Sequence, residues 1–186
     1  MIGGYDVVKD ADKVKELVGV STQDTAVARN LTVEENLQFM ADIYMDHKQF
    51  SKKNRKEHVE DVLTSFQLDE VRTTKSSKLS GGWQRRLSIA MAIIGNPKVI
   101  FLDEPTLGLD VLARRELWKE IERLKKDKTI ILTTHYMEEA EALADRIAIM
   151  IDGKVVMMGD LASLEAETGQ KGLENVFVSV AEGGLK

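Results

Sequence analysis

Apolar residues recur along the chain with two different periods, and the change of period divides it. Positions 1–30 are mixed and hold one strand candidate, LVGVS from Leu17 to Ser21, which ends at Thr22-Gln23. From Thr32 the period is helical. Thr32 and Glu35 stand at capping-box spacing, and Leu37, Met40, Ala41 and Tyr44 follow at helical intervals. A second helix is predicted from about Lys53 to Phe66, with Val59, Val62, Leu63 and Phe66 along one side. The polar stretch VRTTKSSK leads into LSGG, and a third helix runs from Trp83 to Ile94 until Gly95-Asn96-Pro97 stops it.

Beyond Pro97 strands alternate with helices. Val99–Leu102, Thr129–Leu132 and Ile147–Ile151 are continuous apolar runs, the pattern of strands buried on both faces of a mainly parallel sheet. Leu117, Ile121 and Leu124 mark a helix between the first two, and MEEAEALAD a short acidic one between the second and third. Asp152-Gly153 is a two-residue hairpin signal that turns the third strand back into Lys154–Met158. The expectation is one α/β domain: a helical insertion over 32–95, a strand-rich core over 96–160, and a C-terminal helix and strand over 161–186.

Composition narrows the partners. With 186 residues the chain is long enough for one ordinary core, and its net charge of -5 argues against nucleic acid, which requires a surplus of cations on one face. The one basic run, His47 to His58, lacks aromatic interleaving and reads as a solvated helix start, so His47 and His58 are expected to face water. There is no cysteine, hence no disulfide or thiolate metal site. No stretch approaches the ~20 apolar residues that span a bilayer, so a membrane role would run through a partner. Trp83, Trp118 and the eight methionines read as packing residues.

Chemistry concentrates in four places. VIFLDEPT delivers Asp103 and Glu104 at the carboxyl end of a predicted buried strand, the edge where open α/β sheets bind ligands. Adjacent acids there can divide labour, Asp103 holding a magnesium ion and Glu104 orienting or deprotonating water, although DEP alone reads equally well as strand-end punctuation. The next strand ends in Thr133-Thr134-His135, and Gln23 takes the comparable place after the first. In LSGGWQRR, Ser80, Gly81 and Gly82 open a helix and offer backbone N–H groups and a hydroxyl to an anion.

In this order the motifs resemble the ATP-binding-cassette (ABC) nucleotide-binding domain of transporters, most like the daunorubicin-resistance type of exporter ATPase. Gln23 is similar to the Q-loop glutamine, LSGGWQ with Gln84 to the signature, VIFLDEPT to the Walker B strand, GLD with Asp110 to the D-loop, and His135 to the switch histidine. The resemblance implies a P-loop NTPase-like fold and an ATPase with Glu104 and His135 catalytic. Ser80, Gly81, Gly82, Gln84, Gln23 and Asp110 would contact ATP, and Asp103 and Gln23 Mg2+. It further implies a second cassette as dimer partner, homo- or heterodimeric, an integral-membrane permease, and a cytoplasmic location on the inner face of the membrane.

The family's phosphate loop, G-x-x-x-x-G-K-[ST], occurs nowhere in the 186 residues. The one Gly-Lys pair, Gly153-Lys154, has Ala148 in place of the first glycine and Val155 in place of the hydroxyl residue. The expectation is therefore an N-terminally truncated cassette whose P-loop strand is absent, leaving 129–132 and 147–151 with unpaired edges that invite association. Such a chain completes a partner's site in a mixed dimer, or acts as a non-catalytic subunit that docks a permease. Each lost charge-assisted hydrogen bond is worth about 1.5–3 kcal/mol, so the chain alone should bind ATP weakly and not hydrolyse it. Isothermal titration with Mg-ATP checks this, and micromolar affinity would contradict it.

Overall fold

The computed structural model of the chain describes residues 1–45 and 51–183, so the expectation for His47 lies outside the described residues. The chain divides into two compact units, 1–133 and 134–186, and the predicted 96–160 core is shared between them.

In the first unit, β1 (Val18–Ser21), β2 (Val99–Asp103) and β3 (Thr129–Thr133) form a parallel sheet of order β1-β2-β3. Ser21 pairs with Leu102 and Asp103 with Thr133, so the carboxyl ends of all three strands finish at one level. A helix that the periodicity did not announce, α1 (Ala11–Leu17), leads into β1.

The helical segment follows its apolar spacing. Helix α2 (Val33–Tyr44) opens with a complete capping box, in which the Glu35 N–H donates to the Thr32 hydroxyl at 3.2 Å and the Thr32 N–H to the Glu35 carboxylate at 2.7 Å. It buries Val33, Leu37 and Ala41, whereas α3 (Lys52–Ser65) and its cap bury Val59, Val62, Leu63 and Phe66. Each such Val, Leu or Phe side chain contributes about 1.5–3 kcal/mol on leaving water. Arg72 ties the two helices together, its Nη2 lying 2.8 Å from a Glu60 carboxylate oxygen and 3.0 Å from one of Glu34. That guanidinium holds the Glu60 carboxyl below its usual range and is itself pushed up by the same pairing. His58 does not face water as expected: a ring nitrogen bonds the carbonyl of Ile94, the residue that caps the end of the next helix, at 2.9 Å.

That next helix, α4 (Gly81–Ile93), packs on α2, β1 and β2 and buries Leu87, Ile89, Ala90 and Ile93. Close approach to β1 needs Gly19, where an added Cβ would lie 2.1 Å from the Ala92 carbonyl oxygen. The expectation of strands buried on both faces holds on one face of this sheet. Ile100 and Leu102 are buried, whereas Val20 and Ile131 are 56% and 45% exposed, because α4 covers the opposite side. Edge strand β3 has no partner beyond β2 among the described residues. Helix α5 (Val111–Leu124) buries the predicted Leu117, Ile121 and Leu124.

The second unit consists of α6 (Met137–Leu143), the antiparallel hairpin β4 (Ile147–Ile151) and β5 (Lys154–Gly159), then α7 (Leu161–Thr168) and α8 (Leu173–Ala181). Two expectations are corrected. Ile147–Ile151 is a hairpin strand and not a strand of the parallel sheet: Asp152 and Gly153 adopt φ of 50° and 75°, the turn that folds it onto β5. It buries only Ile147 and Ile149 on one face, against Met157, Leu164, Leu173, Val176 and Val180. The C-terminal strand is absent from the described residues. There the chain forms α8, whose Leu173, Val176 and Val180 recur at helical spacing and face that core.

Gly19→Ala should lower stability by about 1–3 kcal/mol through overpacking. Gly81→Ala should not, since a Cβ there meets nothing within 4 Å. Urea unfolding of the two variants beside the parent measures the contrast.

Candidate functional site

Four backbone carbonyls at the ends of β1 and β2 converge on one side chain, the Arg85 guanidinium, which is 3% exposed. Its Nε donates to the Pro105 carbonyl at 3.0 Å and its Nη1 to that of Gln23 at 3.2 Å; Nη1 also bonds the Thr22 carbonyl and Nη2 that of Asp103. A planar fork with five N–H groups is the one side chain that can reach so many acceptors on two loops. The predicted pair, Gln23 and Asp103-Glu104, is thereby brought to one edge of the sheet.

The Asp103 carboxylate and the Glu104 backbone are positioned by the neighbouring strand. The Thr133 hydroxyl at the end of β3 donates to an Asp103 carboxylate oxygen and lies 3.3 Å from the Glu104 N–H, which also donates to the Thr133 carbonyl at 3.0 Å. Glu104 has a φ of 48°, a left-handed conformation that costs a non-glycine residue about 1–3 kcal/mol and that concentrates at functional sites. It turns the chain sharply off the strand, so Asp103 is exposed while Pro105 and Thr106 turn inward and are buried. The Thr106 hydroxyl, 2% exposed, has no hydrogen-bond partner among the described residues.

The signature residues open α4. Ser80 caps the helix, its hydroxyl accepting from the Trp83 N–H at 3.5 Å, and Gly81 is open to solvent. Gln84 is committed to the protein: its amide nitrogen donates to the Ser76 and Leu79 carbonyls at 3.1 and 3.2 Å. Buried Asn36 continues this brace, its amide nitrogen donating to the Ser76 hydroxyl at 2.9 Å. Asp110 caps α5 by accepting from the Leu112 and Ala113 N–H groups, both at 2.9 Å. His135 belongs to the second unit, where its ring lies 4.2 Å from that of Tyr136.

Sequence reasoning missed Arg85. A signal was present: Arg85, Ile89 and Ile93 share one helical stripe, so the cation stands on the core-facing side of α4. For a metal, Asp103 and Gln23 offer hard oxygen donors, and no cluster of three or more acidic, His or Cys side chains suited to a metal occurs among the described residues. Two oxygen donors suit an ion that keeps most of its water and shares a ligand's phosphates, as Mg2+ does.

Taken together, the parallel sheet, its polar edge at the strand carboxyl ends and the glycine-led helix define an α/β domain with the layout of nucleotide-binding folds. The family profile described as ABC transporter matches residues 2–107, and the chain belongs to that family. It is 39% identical over 168 residues to Phospholipid-transporting ATPase ABCA3 of Homo sapiens, covering 90% of this chain and 10% of that protein. With ABC transporter A family member 5 of Arabidopsis thaliana it shares 41% identity over 170 residues, covering 90% of this chain and 18% of the relative. It therefore spans only a small part of the curated relatives it matches.

Among solved structures, an ATP-binding subunit of an ABC transporter superposes with a TM-score of 0.82 at 25% identity, covering 96% of this chain and 74% of that one. A dimeric ATP-binding cassette in a post-hydrolysis state, bound to ADP and Pi, superposes with a TM-score of 0.71 at 26% identity, covering 82% and 68%. No helix among the described residues is long and apolar enough to cross a membrane.

Proposed function

We propose that this chain is part of an ATP-binding cassette that powers a membrane transporter, and that its polar edge attends the terminal phosphate of ATP. The observation that carries the reading is the meeting of Gln23 and the Asp103-Glu104 pair at the ends of β1 and β2 around Arg85. Asp103, with one carboxylate oxygen accepting from Thr133, and the Gln23 amide would hold Mg2+, which would supply charge neutralisation at the phosphates. Glu104 orients the attacking water and accepts its proton. Asp110 caps α5 and meets the partner cassette. Ser80, Gly81 and Gly82 present the start of α4 to a triphosphate held by a second cassette, the positive end of the helix facing negative charge. The dimeric neighbour bound to ADP and Pi supports such a pairing. The transporter relatives support a permease partner and a place on the inner face of a membrane.

One observation favours a narrower role for these 186 residues alone. They contain no G-x-x-x-x-G-K-[ST], and Gly153-Lys154 lies in the exposed hairpin turn of the second unit. Backbone N–H groups and a lysine around the phosphates must then come from elsewhere, and the chain serves a site that another segment completes.

Joining a strand–loop–helix segment that carries that pattern to the amino end of the chain tests the assignment. The joined protein should turn over Mg-ATP, and Glu104→Gln should lower kcat by about 10²-fold or more without weakening nucleotide binding. Unchanged kcat in Glu104→Gln would contradict the role given to Glu104.

A further inference from the structure

Arg85 stands one turn inside the helix that Ser80, Gly81 and Gly82 open, yet every acceptor described above lies outside that helix. Two of them, the Thr22 and Gln23 carbonyls, belong to the loop after β1; the other two, Asp103 and Pro105, flank Glu104 after β2. The residue is 3% exposed, so its charge is withdrawn from water and those bonds replace its hydration. Backbone carbonyls at the tips of parallel strands point along the sheet and repel one another; a cation among them turns that repulsion into attraction. Nearby, the Ser21 and Ser88 hydroxyls lie 3.2 Å apart in the interior, joining the same strand to the same helix.

We propose that Arg85 is the positioning residue of the site: through one guanidinium it fixes the Gln23 loop and the Asp103–Pro105 turn relative to each other, and both relative to the start of α4. Displacing α4 along its axis then moves both loops together. That the loops attend a nucleotide rests on the proposed cassette function; that a single side chain holds them both does not. Lysine cannot substitute, because a compact ammonium on a flexible stem keeps the charge but reaches acceptors on only one of the two loops at a time.

Nuclear magnetic resonance on the 186-residue chain without nucleotide tests the clamp independently of ATP chemistry. In the parent, hindered rotation should split the Arg85 Nη signals, and backbone amide order parameters at 22–24 and at Asp103 and Glu104 should be about 0.85. In Arg85→Lys both segments should fall below about 0.6 together, while 59–65 in α3 keeps its order. Loss of order in one segment only, in neither, or throughout the first unit would overturn the proposal. Should Arg85→Lys fail to fold, the parent decides: a single averaged Nη signal also overturns it. A retained clamp with an unchanged kcat for Glu104→Gln in the joined protein would sink the nucleotide reading and leave the clamp standing.

Discussion

A guanidinium withdrawn from water is stable only where its N–H groups find acceptors in the right directions. The ends of two parallel strands provide them here, and the site inherits its geometry from that need. Strands β1 and β2 are in register up to Ser21 and Leu102, so their last carbonyls emerge side by side; α4 lies across both and carries Arg85 between them. Gly19 permits this approach, since any side chain would push α4 from β1 and withdraw the fork from its partners. A glycine in a strand and an arginine in a helix thus constrain one another, though neither belongs to the residues that would touch a ligand.

On that base the polar groups are arranged by short-range bonds. Thr133 at the end of β3 engages both Asp103 and the Glu104 N–H, so the third strand sets where the two acids stand. The left-handed backbone at Glu104 turns Pro105 and Thr106 inward and leaves Asp103 exposed. Family membership gives this arrangement its context: the same fold recurs in an ATP-binding subunit of an ABC transporter and in a cassette bound to ADP and Pi. The signature loop is braced from behind by Gln84, Ser76 and Asn36, which leaves the glycine amides at the front of α4.

Elements with a strong local period were legible from the chain. The capping box at Thr32 and Glu35, the stripes of α3 and α5 and the Asp152-Gly153 turn formed as local chemistry dictates. What failed depended on partners distant in sequence. Ile147–Ile151 is as apolar as a sheet strand, but the turn after it folds it onto β5, and apolarity alone does not say which strand pairs with which. The last helix, LENVFVSVA, has β-branched residues at three positions that suggest a strand, yet packing of Leu173, Val176 and Val180 decided for helix. His58 looked like part of a basic run, and only the fold shows that its ring meets the Ile94 carbonyl. Candidate residues at the strand ends were legible because strand and acid are adjacent in sequence. Arg85 was not, since its partners lie 18 to 63 positions away.

The central claim is that Gln23, Asp103 and Glu104 form one edge that faces a metal–nucleotide complex. Titrating the isotopically labelled chain with Mn2+ and ATP measures this directly, because paramagnetic broadening reports weak binding and falls off steeply with distance. The account predicts that the amide signals of Gln23, Asp103 and Glu104 broaden first and together. Broadening centred elsewhere, or reaching Asp103 and Glu104 while Gln23 stays sharp, would contradict it.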